Sequence, residues 1–372
     1  MPFTAQEIQH ISNAVLEYFI REQPKLQTAE VRPFLNDLLE RADTFPGGRA
    51  NIILPVYGAI ATSLIGYDHD DSVPYVNPAN SRQATYPWRE HHIGFNITFS
   101  QLKKAGIRIA NSATGEGVSK ASDMEKAELF DMLVYNINDM MEGWERGMSG
   151  FLWGDGTADP KAIVGVRSFI LDNPLAVGAV AGIDPAVDDW WQNRAITATA
   201  AAGPYSTPGP ILANVAATNS VLIETLTREQ RQLRRFKSVG RRQTPENRPA
   251  GTGVVLYCGS GAYNRIEDEL RAKGSYSEMG FTNRDNDVGV SSMTLNRDEI
   301  VYEPELDNIG RPNFVYAIDL DAVRLRPMEG EERVDHSPAR PEDIYALYRA
   351  QTSTAALTCE QRNCNAVYEV TL

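Results

Sequence analysis

Residues 122–148 read SDMEKAELFDMLVYNINDMMEGWERGM. Ser122 and Glu125 have the spacing of a capping box, in which hydroxyl and carboxylate each satisfy a free N–H at a helix start. Phe130, Leu133, Val134, Ile137, Met140, Met141, Trp144 and Met148 then recur at three- and four-residue steps, the period of one buried helix face. Glu128, Asp131, Asn138, Asp139, Glu142 and Glu145 fall on the other side. At about 1.5 Å per residue the spacing predicts a helix of roughly 39 Å over 123–148, about twice the average length. Such a helix can form the backbone of an elongated domain, so the segments flanking it decide the fold class.

Upstream, residues 51–101 have strand character. Asn51 to Tyr67 is rich in Ile, Val, Leu and Tyr, and Ile93, Phe95, Ile97 and Phe99 alternate with Gly94, Asn96 and Thr98. A polar stretch from Asp68 to Asn80 separates the two legs, so the expectation is a long antiparallel hairpin with an irregular tip. A two-stranded ribbon is marginal alone and needs a surface to lie on. Before it, Ile8, Ile11, Val15, Tyr18 and Phe19, then Leu35, Leu38 and Leu39, have helical spacing over 4–42. Pro24 and Pro33 divide this arm into two helices, and Thr44-Phe-Pro-Gly-Gly48 closes it with turn chemistry.

Downstream, Gly154-Asp-Gly156 opens a weakly patterned stretch rich in Ala, Gly and Pro that runs to Pro210. A second helix is expected from Val215 to Val239, carried by Leu222, Ile223, Leu226, Leu233 and Phe236 and ended by Gly240. Val254-Val-Leu-Tyr257 reads as a buried strand and 261–273 as a short helix stopped by Gly274. From residue 299 onward the expected strands are 299–302, 313–318, 322–326, 345–349 and 366–370. There is no internal repeat and no low-complexity tract. The organisation is α+β.

The 372 residues, 42% hydrophobic and 23% charged, suit about two or three domains with ample core. Lys and Arg total 36 against 49 Asp and Glu, and the formal charge of −13 repels nucleic acid and anionic membrane. No apolar run approaches the roughly 20 residues of a membrane helix. The opening Met-Pro-Phe-Thr-Ala-Gln-Glu has neither the basic nor the apolar region of a secretory signal. Three cysteines are too few, and odd in number, for a disulfide framework, which points to a reducing compartment.

Tests for chemistry return little. His91 and His92 are adjacent, and neighbours on a strand point to opposite faces, so one metal ion cannot easily take both. With Asp68, His69, Asp70 and Asp71 across the hairpin they allow a divalent-cation site, and with it a metal-dependent hydrolase, as an alternative. Cys359 and Cys364 lack a second ligand pair for zinc, and Cys258 lies in an expected buried strand; all three read as ordinary thiols. Gly259 and Gly261 follow a strand and open a helix, but without the remaining residues of a phosphate loop. No Gly-x-Ser-x-Gly or His-Glu-x-x-His occurs, so neither a catalytic residue nor a cofactor is assigned. One charge feature stands out: Arg228, Arg231, Arg234, Arg235, Lys237, Arg241, Arg242 and Arg248 fall within 21 residues of an acidic chain. They suit either a solvated face, or contact with an acidic neighbour or with nucleic acid kept close by other means.

Six groups of residues carry a family likeness: Thr44-Phe-Pro-Gly-Gly48, Tyr86-Pro-Trp-Arg-Glu90, Glu142-Gly-Trp-Glu-Arg-Gly147, Gly182-Ile-Asp184 with Trp190-Trp-Gln-Asn-Arg194, Leu270-Arg-Ala-Lys-Gly274, and His336-Ser-Pro-Ala-Arg-Pro-Glu-Asp343. Asp335 stands where an asparagine is expected. In this order, with arm, hairpin, long helix, mixed middle and β-rich end, the chain resembles the major capsid proteins of tailed bacteriophages, the Hong Kong 97-like family. The likeness covers most of the chain and rests on order and spacing together.

The resemblance implies an N-terminal arm at 1–49, an extended β-hairpin loop at 50–105 lying over a neighbouring subunit, and a peripheral domain with the spine helix at 106–204. It further implies an axial domain at 205–320 and a return to the peripheral domain at 321–372. The function it implies is self-assembly, through pentamers and hexamers, into an icosahedral head shell around double-stranded DNA. That places the chain in the virion after assembly in the host bacterial cytoplasm, with no sequence-specific DNA binding and no membrane contact. Inter-subunit contact candidates are Arg82, Trp88, Arg89, Glu90, Arg231, Arg234, Arg235, Arg241 and Arg242. Replacing Arg234 and Arg235 by Glu is expected to impair capsomer formation. Some family members link subunits through a loop lysine and an asparagine; no lysine lies between Lys25 and Lys103 here, so a non-covalent shell is expected. The arm begins near Met1, so any scaffold or maturation protease is expected as a separate protein; a portal is an expected partner, and scaffold, protease or decoration proteins are further candidates. An encapsulin-type nanocompartment shell shares the fold and is the nearer alternative; the long hairpin favours the phage reading.

Overall fold

The computed structural model describes residues 30–58, 62, 64–72, 75, 80–98, 123–175, 178–213, 221–235, 254–272, 293–295, 298–336 and 346–371. The first elements are helix α1 (Pro33–Glu40), strands β1 (Asn51–Tyr57), β2 (Ser81–Pro87) and β3 (Arg89–Thr98), and helix α2 (Asp123–Trp153). Strands β4 (Arg194–Thr197), β5 (Ser206–Pro208) and β6 (Ile211–Leu212) follow, then helix α3 (Val221–Leu233), strand β7 (Val254–Cys258) and helix α4 (Ser260–Ala272). Next come β8 (Met293–Leu295), β9 (Asp298–Tyr302) and helix α5 (Pro304–Asn308). The last strands are β10 (Phe314–Asp319), β11 (Val323–Pro327), β12 (Val334–His336), β13 (Ala346–Cys359) and β14 (Ala366–Thr371).

The chain divides into two compact units. One takes residues 1–30, 95–143 and 339–348; its described parts are the end of β3, α2 as far as Gly143 and the first residues of β13. The other takes 31–94, 144–338 and 349–372 and contains both hydrophobic cores.

The larger sheet runs β5-β4-β14-β10-β7-β9-β8, with β6 beside β14. At its centre β10 is antiparallel to both neighbours, Val315 facing Tyr368 on one side and Cys258 on the other. Tyr257, Tyr316, Ile318, Val367 and Ala195 point into a core shared with α1 and the end of α2. The alternate residues Leu256, Cys258, Val315, Ala317 and Tyr368 point into a second core closed by α3 and α4. Burial on both faces explains why Val254-Val-Leu-Tyr-Cys258 is apolar without alternation. Each large apolar side chain buried this way contributes about 1.5–3 kcal/mol.

Helix α1 starts at Pro33, where the missing N–H costs nothing and φ is preset. It buries Phe34, Leu35 and Leu38 against the ring cluster of Trp153 and Tyr257. The next residues run along β11: Asp43 and Phe45 donate to the carbonyls of Leu325 (3.2 Å) and Pro327 (2.9 Å), and Phe45 accepts from Glu329 (3.1 Å). That segment covers a sheet edge which would otherwise stay unpaired. The earlier arm helix expected over residues 4–23 and the Ser122 cap lie outside the described residues.

The hairpin differs from expectation in two ways. Its return strand is β2, in register from Asn51↔Pro87 to Tyr57↔Ser81, whereas the alternating residues 93–98 belong to β3, which pairs with β13 in the smaller sheet. Pro87 has no N–H to extend the ladder, so the chain changes sheets there. The ribbon base is also no free ribbon: Ile52, Leu54, Val56, Ala84 and Tyr86 are buried in the chain's own core, and the Tyr86 hydroxyl donates to the Cys359 carbonyl at 2.6 Å.

The long helix continues one turn past the expected end, to Trp153, because Leu152 and Trp153 are fully buried; packing overrides the weak helix propensity of Ser149 and Gly150. Helix α3 is shorter than its expected 215–239 among the described residues. The short strand expected at 345–349 is the start of the 14-residue β13, whose remainder is small and polar residues buried on both faces and therefore gives no period-two signal.

Candidate functional site

The chemistry-bearing clusters of the sequence stay apart. Among the described residues no group of three or more His, Cys, Asp or Glu side chains is placed to share a metal ion. His91 is partly buried and its Nε2 accepts the Ile163 N–H at 3.1 Å; burial pushes its pKa below the usual histidine value. His92 is exposed, and His69 pairs with its exposed neighbour Asp70 at 3.3 Å. Cys258, Cys359 and Cys364 are buried. Burial raises the Cys258 thiol and pushes Cys359 up to about 12, values unsuited to a nucleophile.

Three surfaces hold the predicted contact residues. The first is the hairpin. Tyr57, Leu64, Ile65, Tyr67 and Tyr75 are exposed, with Tyr57 at 73% and Tyr75 at 96%. Arg82 lies on this ribbon and its Nε meets Asp188 Oδ2 at 3.1 Å. At the ribbon base, Gly58 packs so closely on Trp190 that an added Cβ would stand 1.8 Å from the indole. Asp188 and Trp190 escaped the sequence reading: the double tryptophan was visible, but its partner lies more than a hundred positions away.

The second surface is an open cleft of about 690 Å³ lined by Trp88, Glu90, His91, His92, Met328 and Thr352, among others. It brings the predicted residues Trp88 and Glu90 together on β3 and its approach. Trp88 is half-buried, its ring 6.2 Å from Phe45. Arg89 points elsewhere, with Nε buried and without a hydrogen-bond partner among the described residues.

The third surface is the end of α3. Arg194 on β4 ties Glu229 at 2.6 Å, and Gln230 donates to the Leu295 carbonyl at 3.1 Å, so one side of the helix is fixed to the sheet. Arg234 belongs to that fixed side: its Nη2 is 3.0 Å from Asp298, which is 1% exposed. Arg228 pairs with Glu224 one turn earlier at 3.1 Å. Arg231 and Arg235 are exposed. Arg241 and Arg242 lie outside the described residues.

No family model matches the chain, and no curated protein matches its sequence. Solved structures do. The cyanophage A-1(L) capsid asymmetric unit superposes with a TM-score of 0.59 at 15% identity, over 93% of this chain and 94% of that one. The capsid of an empty GTA particle gives a TM-score of 0.50 at 14% identity, over 94% and 95% of the two chains. The holo-SrpI encapsulin of Synechococcus elongatus PCC 7942 gives 0.47 at 9% identity, over 99% and 96%, too low to weigh between shells.

Proposed function

We propose that this chain, which has the Hong Kong 97-like capsid-shell fold, is the major capsid protein of a tailed bacteriophage. It assembles with copies of itself into the pentamers and hexamers of a head shell that encloses double-stranded DNA. The observation that carries the proposal is the hairpin: its base is buried at home, while Tyr57, Leu64, Ile65, Tyr67 and Tyr75 are left in solvent. Five large apolar side chains left exposed along one segment are what a partner surface would cover. A hairpin seated on the next copy makes a heterologous contact, which closes into rings and shells when its rotation closes.

In this reading residues 1–49 are the arm, 50–105 the extended loop, 106–204 and 321–372 the peripheral domain, and 205–320 the axial domain. Arg82, Trp88, Arg89, Glu90, Arg231, Arg235, Arg241 and Arg242 serve inter-subunit contact, while Arg234 also holds α3 to β9. The acidic composition suits a wall that encloses DNA without gripping its phosphates.

Sedimentation velocity of the purified chain, expressed alone and with its scaffold, tests the proposal, with negative-stain images of the fastest species. Closed shells, sheets or capsomers are expected; a small stable dimer under both conditions overturns it. Shells from infected cells should contain double-stranded DNA, and a folded enzyme cargo in its place would overturn the phage assignment in favour of a nanocompartment.

A further inference from the structure

The hairpin is held at its base by a loop far away in sequence. Within that loop, Val180 and Ile183 exchange both backbone hydrogen bonds (2.8 and 3.1 Å), which requires left-handed backbone at Ala181 (φ +52) and Gly182 (φ +86). Ala181 is the only non-glycine with positive φ among the described residues, and such a conformation persists only where its surroundings impose it. Further bonds brace the loop: Asp184 Oδ1 accepts from Ala186 N (2.9 Å), Gln192 Nε2 donates to the Pro185 carbonyl (2.7 Å), and Trp191 Nε1 donates to the Val180 carbonyl (3.0 Å). Trp191 is 1% exposed, and its carbonyl accepts from the buried Arg362 at 2.5 Å. The loop is a rigid abutment.

It grips the ribbon at three successive levels. Deepest, the Ala181 carbonyl accepts the Thr85 N–H at 2.9 Å. Further out, Asp188 pairs with Arg82. At the end of the ladder, where Tyr57 faces Ser81, the Trp190 indole lies against the backbone of Gly58. Only glycine admits that contact, because any Cβ there would overlap the ring. One of the three contacts is a backbone bond, one an ion pair and one a close packing contact, and together they resist both bending and twisting of the ribbon.

We propose that the Val180–Trp191 loop is a latch that sets the direction in which the hairpin leaves the body, with Gly58 the point where its hold ends. In the shell reading, on which this last step rests, a fixed direction sets the angle at which one subunit reaches the next, and so the uniformity of shell curvature.

Hydrogen exchange by mass spectrometry on the full chain, with all variants in one assembly state, tests the latch. Asp188→Ala should speed exchange of peptides covering 52–57 and 81–86 about threefold, as expected for a half-exposed ion pair. Gly58→Ala, which displaces the indole, should speed it about tenfold or more. Peptides of β7 and β10 should keep wild-type rates, and the charge-swapped double variant Arg82→Asp/Asp188→Arg should recover much of the lost protection. Unchanged hairpin exchange in both single variants overturns the latch, as does equal acceleration in β7 and β10. Assembly is read separately. Shells of a single wild-type size from a variant with a loosened hairpin overturn the role in curvature; failure of the wild type to assemble sinks the shell reading and leaves the exchange result standing.

Discussion

Glu303 is fully buried, and its Oε2 accepts the Phe34 N–H at the start of α1 at 3.0 Å. Burial pushes its carboxyl up to about 7, with backbone bonds from Phe34 and Glu305 opposing the rise. A carboxyl whose pKa is higher folded than unfolded adds stability that is full below the unfolded value and is lost as pH rises through the folded one. The contribution of this group therefore falls between about pH 4 and pH 8, by at most roughly 3 kcal/mol. Glu303→Gln keeps an acceptor for Phe34 and removes the titration, so the variant should melt higher than wild type at about pH 8 and nearly level with it at about pH 4. A wild-type melting temperature that rises in parallel with the variant's across this range would refute the assignment. Arg362 shows the opposite design. It is 1% exposed and donates to the carbonyl oxygens of Phe169 (2.7 Å) and Trp191 and to Asn193 Oδ1 (3.1 Å), and burial lowers its pKa to about 10, still charged at neutral pH. Arg362→Met leaves the Phe169 and Trp191 carbonyls dry without this donor, while Asn193 Oδ1 keeps the Leu171 N–H at 3.1 Å, an expected loss of about 3 kcal/mol, read as a lower denaturant midpoint with an unchanged slope. Arg362→Lys should recover only part of it, because an ammonium cannot reproduce the planar fork.

At the scale of elements, α3 carries two kinds of arginine that the sequence presents as one run. Arg234 is paired with the buried Asp298, so Arg234→Glu places two carboxylates face to face and should unfold the second core. Arg231→Glu with Arg235→Glu alters exposed side chains only, and should leave the melting temperature within about 2 °C while slowing capsomer formation. Light scattering during assembly, beside a melting curve, separates the two outcomes; wild-type assembly by this double variant removes the helix end from the interface. The elements themselves were unevenly legible. The Ser260–Ala272 helix and the strands Asp298–Tyr302, Phe314–Asp319 and Ala366–Thr371 lie within a residue or two of their expected bounds, the helix because of its local period and the strands because each is a short run rich in β-branched and aromatic residues. The second half of β13 and the return leg of the hairpin had no such signal, since their burial is decided by partners distant in sequence.

At the scale of the molecule, the absence of lysine from Leu26 to Leu102 leaves the hairpin tip without an amine to join to a neighbour. Assembled shells boiled in denaturant should run as a single band near 41.2 kDa on a gel, and a ladder of multiples would contradict this. With a formal charge of −13, like-charged subunits repel at low salt, and screening shortens that repulsion to about 10 Å at 0.1 M. Assembly should therefore proceed faster at 0.1–0.2 M salt than at about 0.01 M, as followed by sedimentation.

By itself the sequence determined the α+β class, the long helix, the hairpin and the β-rich end, because side-chain periodicity is a local property that burial on one face writes directly into the residues. It also settled the charge and the missing loop lysine, which are counts. Tertiary structure alone decided which strand pairs with β1, where β3 goes, that Arg234 is already engaged, and that Asp188 and Trp190 hold the base of the hairpin. Those are contacts between residues remote along the chain, and a pairing partner leaves no periodic mark on either side of the pair.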